Sequence, residues 1–206
     1  MLPSIKELHR CEVGDEEYWL RTPTVFDLPR MRRDVSIIAR RPVLHEFKIA
    51  SLAGIAAIGE LVDEVEEAER QRGVIEQWYE MLVPLREDDI DEPDQEKRTV
   101  LLIAQQAERH EAQVAILGEV AAIEANLERH WPPFAQLSAD RRYRQDVENI
   151  MVVRLLLRKR GTVTLGRDAE GLLAEEAYLA LPDAALPALQ AFAEALLVPG
   201  ETQRKN

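Results

Sequence analysis

The chain has 206 residues, 46% of them hydrophobic, and a net charge of −12 from 26 basic and 38 acidic side chains. That is length and apolar content enough for one domain, or one with a small appendage, and the acidic balance argues against nonspecific nucleic-acid binding. The single cysteine, Cys11, excludes an internal disulfide framework and a cysteine-ligated zinc cluster, which points to a reducing compartment, the cytoplasm.

Alanine, leucine, glutamate and arginine dominate and glycine is scarce, so the expected class is mainly α: a multi-helix bundle around one long helix, with a short N-terminal β-hairpin. Five segments follow from the pattern: a hairpin segment at 1–26, a helical region at 27–84, an acidic loop at 85–96, a long helix with an antiparallel partner at 97–160, and a helical hairpin with a polar tail at 161–206. The start, MLPSIKELHR, lacks an apolar core behind a basic end, so no leader is expected there.

In chain order, short β-prone runs at 8–13 and 17–21 flank Gly14 and Asp15 and predict the hairpin, whose edge strand offers a route to homo-oligomers. Asp27 is placed to cap a helix that accommodates Pro29 in its first turn and breaks at Arg41 and Pro42. A second helix is expected from about Val43 to Gly59. Its apolar run, IASLAGIAAIG, spans eleven residues against the ~20 needed to cross a bilayer, so no membrane partner is expected. Ala50, Ala53, Gly54, Ala57 and Gly59 would let a neighbouring helix approach closely, from this chain or from a partner. Helical pattern resumes over 61–72 and 74–83, with Trp78 and Tyr79 as packing anchors.

Charge is unevenly placed. Residues 61–96 hold three basic and fourteen acidic side chains, whereas 1–60 hold nine of each and 97–206 hold fourteen and fifteen. The first part of the acidic stretch reads as an exposed helix face and REDDIDEPDQE as a solvated loop. Beyond it, Ile103, Ala107, Val114, Leu117, Ala121 and Leu127 recur at steps of three, four or seven, which predicts an amphipathic helix up to His130. Pro132 and Pro133 should end it and turn the chain. Ser138 is then placed to cap a helix over 139–159 that stops at Gly161, and its apolar set is too wide for a single seam. A short extended piece at 162–165, helices at 172–181 and 184–198, and a polar tail from 200, expected to be mobile, complete the chain.

No catalytic signature is present: there is no phosphate-binding Gly-rich loop, G-x-S-x-G, H-E-x-x-H or C-x-x-C. His9, His45, His110 and His130 lack the Glu three residues before them that di-iron bundles require, and the acidic run at 87–96 lacks the glycine of a calcium loop. The expectation is no enzyme, no metal and no cofactor. Arg30, Arg32, Arg33, Arg40 and Arg41 have no recognition helix or aromatic platform beside them and read as an ion-paired face; Arg141, Arg142 and Arg144 could meet the acidic segment.

Three passages, EEYWLRTPTVFDLPRMRRDV, AIEANLERHWPPFAQLSADRRYRQDVENIMVVRLLLR and EEAYLALPDAALPALQAFAEALLVPGETQRKN, resemble the tail assembly chaperones of long-tailed phages and prophages. The resemblance implies a protein of the host cytoplasm that binds the tape measure protein, keeps its long helices soluble, assists loading of the tail tube protein, and is absent from the finished particle. A structural adaptor or virion-associated helical interaction protein is the alternative. A client of amphipathic helices calls for apolar helical grooves, and the candidate partner-binding residues are Leu44, Phe47, Leu52, Ile55, Trp78 and Trp131, with burial in the core as the competing assignment for each.

Overall fold

The computed structural model describes residues 7–197; most of the start over which no leader is expected, the last residue of the helix expected over 184–198, and the polar tail from 200 lie outside them. In order, the elements are β1 (Leu8–Val13), β2 (Glu16–Arg21), α1 (Asp27–Ile38), α2 (Leu44–Val62), α3 (Val65–Met81), α4 (Gln95–His130), α5 (Pro132–Leu156), β3 (Leu157–Arg160), β4 (Val163–Thr164), α6 (Glu175–Leu179) and α7 (Leu186–Leu197). The fold is mainly α with a short N-terminal hairpin. It divides into two compact units, one combining the chain up to Arg41 with the chain from Arg142 onward, the other formed by Pro42–Arg141. The chain passes between the units at Arg41–Pro42, before α2, and at Arg141–Arg142, inside α5.

In the first unit, Cys11 pairs with Tyr18 and Val13 with Glu16, which leaves Gly14 and Asp15 as a two-residue loop. Gly14 has φ 61°, the left-handed geometry that a side chain would oppose and a hairpin of this length needs. The sheet continues beyond the hairpin in the order β1-β2-β3-β4, antiparallel throughout, with β1 at an edge. β3 occupies residues expected to end the helix over 139–159. The physical reason lies far away in the chain: Leu157 is buried opposite Leu20 of β2, and the ladder to β2 takes over the backbone from Leu157 onward. Trp19 pairs with Lys159 and Leu20 with Leu157, so Arg158 sits in a bulge between them.

The core of this unit gathers Tyr18, Leu20, Val35, Val152, Val153, Leu156, Leu173 and Leu189. Asp27, expected as the cap of α1, serves instead to fasten the turn between β2 and α1. Its carboxylate accepts both guanidinium nitrogens of Arg21 at 2.6 and 2.7 Å and the Thr24 hydroxyl at 2.9 Å. Of the helix expected over 172–181 only α6 forms. Leu172 and Leu173 are buried, and the Leu173 amide donates to the Arg154 carbonyl at 2.8 Å.

The second unit is helical. The Glu46 carboxylate accepts the Val43 amide at 2.9 Å and starts α2, which runs past Gly59 to Val62. It stops because Asp63 takes a left-handed conformation, φ 60°. α3 passes through Gly73 without a break. The small residues of α2 admit neighbours from this chain: a Cβ on Gly54 would stand 2.7 Å from a Leu127 methyl and from Trp131 Cδ1, and one on Gly59 would stand 2.5 Å from Ala68 Cβ.

After a 3-10 turn at Glu87–Asp89, Asp94 caps α4 by accepting the Glu96 and Lys97 amides at 3.0 and 3.2 Å. α4 ends at His130, as its prolines require, but Trp131 alone separates it from α5. Pro132 and Pro133 open α5, where a missing N–H costs nothing because the first amides of a helix have no intrahelical acceptor. Ser138 is consequently inside α5 and caps nothing; its hydroxyl is buried without a hydrogen-bond partner. The core here joins Phe47, Ile55, Ile75, Tyr79, Val120, Ile123, Leu127, Phe134 and Leu137.

Candidate partner-binding surface

The six residues singled out in the sequence all fall in the second unit and separate by depth. Phe47 and Ile55 are in its core, and Leu52, Trp78 and Trp131 are half-buried against that core. Leu44, in the first turn of α2, is exposed. Phe47 meets Phe134 edge to face with ring centroids 5.6 Å apart, and the Arg141 guanidinium stacks over its ring at 4.7 Å. Trp131 is fixed between Gly54 and the end of α4, and its buried Nε1 has no hydrogen-bond partner. Core packing thus accounts for Phe47 and Ile55, while Leu44 remains open to a partner.

The larger apolar surface lies on α4. Its buried residues are Val120, Ile123 and Leu127, exposed by 2%, 5% and 1%, all in the C-terminal third of the helix. Of the recurring residues that predicted this helix, only Leu127 belongs to that set. Ile103, Val114 and Leu117 are 60%, 58% and 51% exposed, Val100 is 66% exposed, and Ala107 and Ala121 are exposed too. At 100° per residue these form a stripe about 140° around the helix from the core face. α4 has two apolar faces, and the described residues cover only the one that points at α2 and α3.

Polar contacts hold the rest of the helix in place. Arg109 donates to the Val83 carbonyl at 2.7 Å and Gln113 to the Met81 carbonyl at 3.0 Å, satisfying acceptors near the end of α3. Arg70 on α3 donates to Glu119 of α4 and to Glu67 within α3. Glu124, half-buried on α4, has its carboxyl pushed up by burial, an effect that Arg141 opposes and Glu128 reinforces.

Basic side chains elsewhere have internal roles. Arg30 approaches Asp34 at 3.6 Å and donates to the Glu170 carbonyl at 2.8 Å, and Arg33 pairs with Asp34 at 2.6 Å. Arg144 pairs with Glu148 at 2.9 Å and donates to the Ala39 carbonyl at 3.0 Å. An open cleft in the first unit is lined by Arg21, Arg30, Arg158, Lys159, Thr24 and Thr164. Burial, then the nearby Arg167 and Arg21 charges, press the Arg158 guanidinium down to about 10. Burial also pushes the Cys11 thiol up, away from a reactive thiolate.

Among the described residues no group of three or more His, Cys, Asp or Glu side chains is gathered to hold a metal ion, and no helix is long and apolar enough to cross a membrane. No family model, curated protein or solved structure matches the chain.

Proposed function

We propose that this protein is an assembly chaperone of the long-tailed phage kind, holding amphipathic helices of a tape measure protein in the host cytoplasm while the tail tube is built. The observation that supports this reading is the uncovered apolar stripe of α4, Val100, Ile103, Ala107, Val114, Leu117 and Ala121. A long helix with a narrow apolar seam is suited to a client that presents the same kind of seam, because the two bury their stripes side by side with little change in either. Leu44, exposed at the start of α2, is a second point at which a client could rest. The role needs no catalytic residue and no cofactor.

Co-expression with the tape measure protein tests it. The expected result is a soluble complex of a client that is insoluble alone, lost in an Ile103→Glu, Leu117→Glu double variant whose thermal unfolding is unchanged. Independent behaviour of the two proteins, with this chain retained in finished particles, would replace the chaperone by the structural adaptor.

A further inference from the structure

We infer that, in the absence of a client, the exposed seam of α4 closes on the same seam of a second copy of this chain, running antiparallel. The inference rests on the reading of that seam as a helix-docking face and adds what covers it at rest.

Three observations carry it. The first is the spacing. Val100, Ile103, Ala107, His110, Val114, Leu117 and Ala121 follow one another at alternating steps of three and four without a slip, and Val100, Ile103, Val114 and Leu117 are each at least half exposed. That is a repeat of 3.5, the period that lets two helices keep one seam in register by supercoiling; a helix merely lying on a globular core needs only a broad 3.6-residue stripe. The core face of α4 is separate, on Val120, Ile123 and Leu127, so closing the seam disturbs nothing already packed.

The second is the order of large and small residues along the seam. Reversed against itself about residue 112, the helix sets Val100 opposite Glu124, Ile103 opposite Ala121, Ala107 opposite Leu117 and His110 opposite Val114, and the symmetry repeats each pair. Every such layer joins one bulky and one smaller group or one polar and one apolar group. A parallel pair in register would instead stack Ala107 on Ala107, Ala121 on Ala121 and His110 on His110, leaving thin layers and two imidazoles face to face.

The third is the edge of the stripe. Ala104, Glu111 and Gly118 run along one margin and Thr99 and Gln106 along the other, so a chain with net charge −12 carries one acidic residue among these five flanking positions. Gly118 has open space where a Cβ would stand. Burying most of this stripe on two copies removes about 1,000 Å² from water, the size of a transient interface, which suits a dimer that a client could displace.

Light scattering and sedimentation of the whole chain over about 1–200 μM test the state, and thiol cross-linking tests the direction. The expected result is a dimer that dissociates on dilution and becomes a monomer in Ile103→Glu, a substitution at an exposed position that leaves the circular dichroism in place, and the unfolding midpoint too at dilutions where the wild type is monomeric. Ile49→Glu, on an exposed part of α2, should leave the dimer intact. With a short bis-maleimide, a mixture of Ala107→Cys and Leu117→Cys chains should link to each other. Ala107→Cys alone should not, because its two copies would stand roughly 15 Å apart along the axis. Cys11 is buried, and wild-type protein is the control for it. A monomer throughout the range, or a dimer indifferent to Ile103→Glu, overturns the inference; linkage of Ala107→Cys to itself overturns the antiparallel direction. Client binding is scored separately: a monomer that binds the tape measure protein leaves the proposed function standing without the dimer, and a dimer that binds none does the reverse.

Discussion

Replacing Gly54 by alanine should destabilise the second unit, although alanine is the better helix former. Gly54 lies in the interior of α2, where the exchange by itself gains about 1 kcal/mol of helix propensity. The added methyl, however, would sit 2.7 Å from Leu127 Cδ2, 2.7 Å from Trp131 Cδ1 and 2.8 Å from Trp131 Cγ, all well inside van der Waals separation. Two of those atoms belong to the base of an indole ring, and Leu127 is one of the most deeply buried side chains of its core, so the helices must part to make room. Overpacking of this kind costs about 1–3 kcal/mol, which outweighs the propensity gain and leaves a net loss of about 1 kcal/mol. Gly73, inside α3, has nothing within 4 Å of the point where a methyl would stand, so Gly73→Ala keeps its gain of about 0.5–1 kcal/mol. Urea unfolding followed by tryptophan fluorescence in a Trp19→Phe background, which leaves Trp78 and Trp131 as reporters of the second unit, measures both. Equal stabilisation by the two substitutions would refute the close approach of α2 to the end of α4.

Asp27→Asn should cost the first unit about 3 kcal/mol or more, since it strands the Arg21 guanidinium beside a neutral amide. Burial raises the Asp27 carboxyl, but the bonds from Arg21 and Thr24 outweigh it and hold the group below its ordinary value. The stabilisation is therefore full above the unfolded carboxyl's pKa of about 4 and is lost as the pH falls through the lower folded value, which unfolding midpoints between about pH 2 and 6 would show. Glu124 has the opposite sign. Its raised folded pKa makes the ionised form a burden once the pH climbs above the unfolded value, so Glu124→Gln should stabilise the second unit at about pH 7 and lose that advantage in acid. Ser138→Ala should raise stability by about 1 kcal/mol, because it removes an unpaired buried hydroxyl and improves helix propensity; a loss of that size would show that the hydroxyl is hydrogen-bonded after all.

What the sequence disclosed is what local chemistry decides. The hairpin follows from two β-prone runs about Gly14, and the C-terminal end of α4 follows from the prolines after Trp131. What it concealed depends on partners distant in the chain. Residues 157–159 read as more helix until Leu20 and Trp19 are available to pair with Leu157 and Lys159, and Ser138 reads as a cap until Pro132 is seen to begin the helix itself. The Arg21–Asp27 pair was hidden because Asp27 has two uses, capping α1 or closing the turn before it, and only the position of Arg21 decides between them. The candidate surface was legible in the same limited sense: large apolar residues near small ones mark a close contact, yet the contacts that Gly54 and Gly59 admit come from within the chain.

The partner-binding reading turns on a mismatch of lengths. α4 has 36 residues, about 54 Å at 1.5 Å per residue, whereas α2 and α3 have 19 and 17 and reach about half as far. Two shorter helices supply a core for only part of the spine, and the buried residues of α4 accordingly begin at Val120. The face turned away from α2 and α3 would do as well with polar residues at every position. α4 instead places Val100, Ile103, Val114 and Leu117 there, at the spacing of a second seam and away from the first. Single exposed apolar residues are ordinary on a protein surface, but a row of them in coiled-coil register is what the proposed partner would cover.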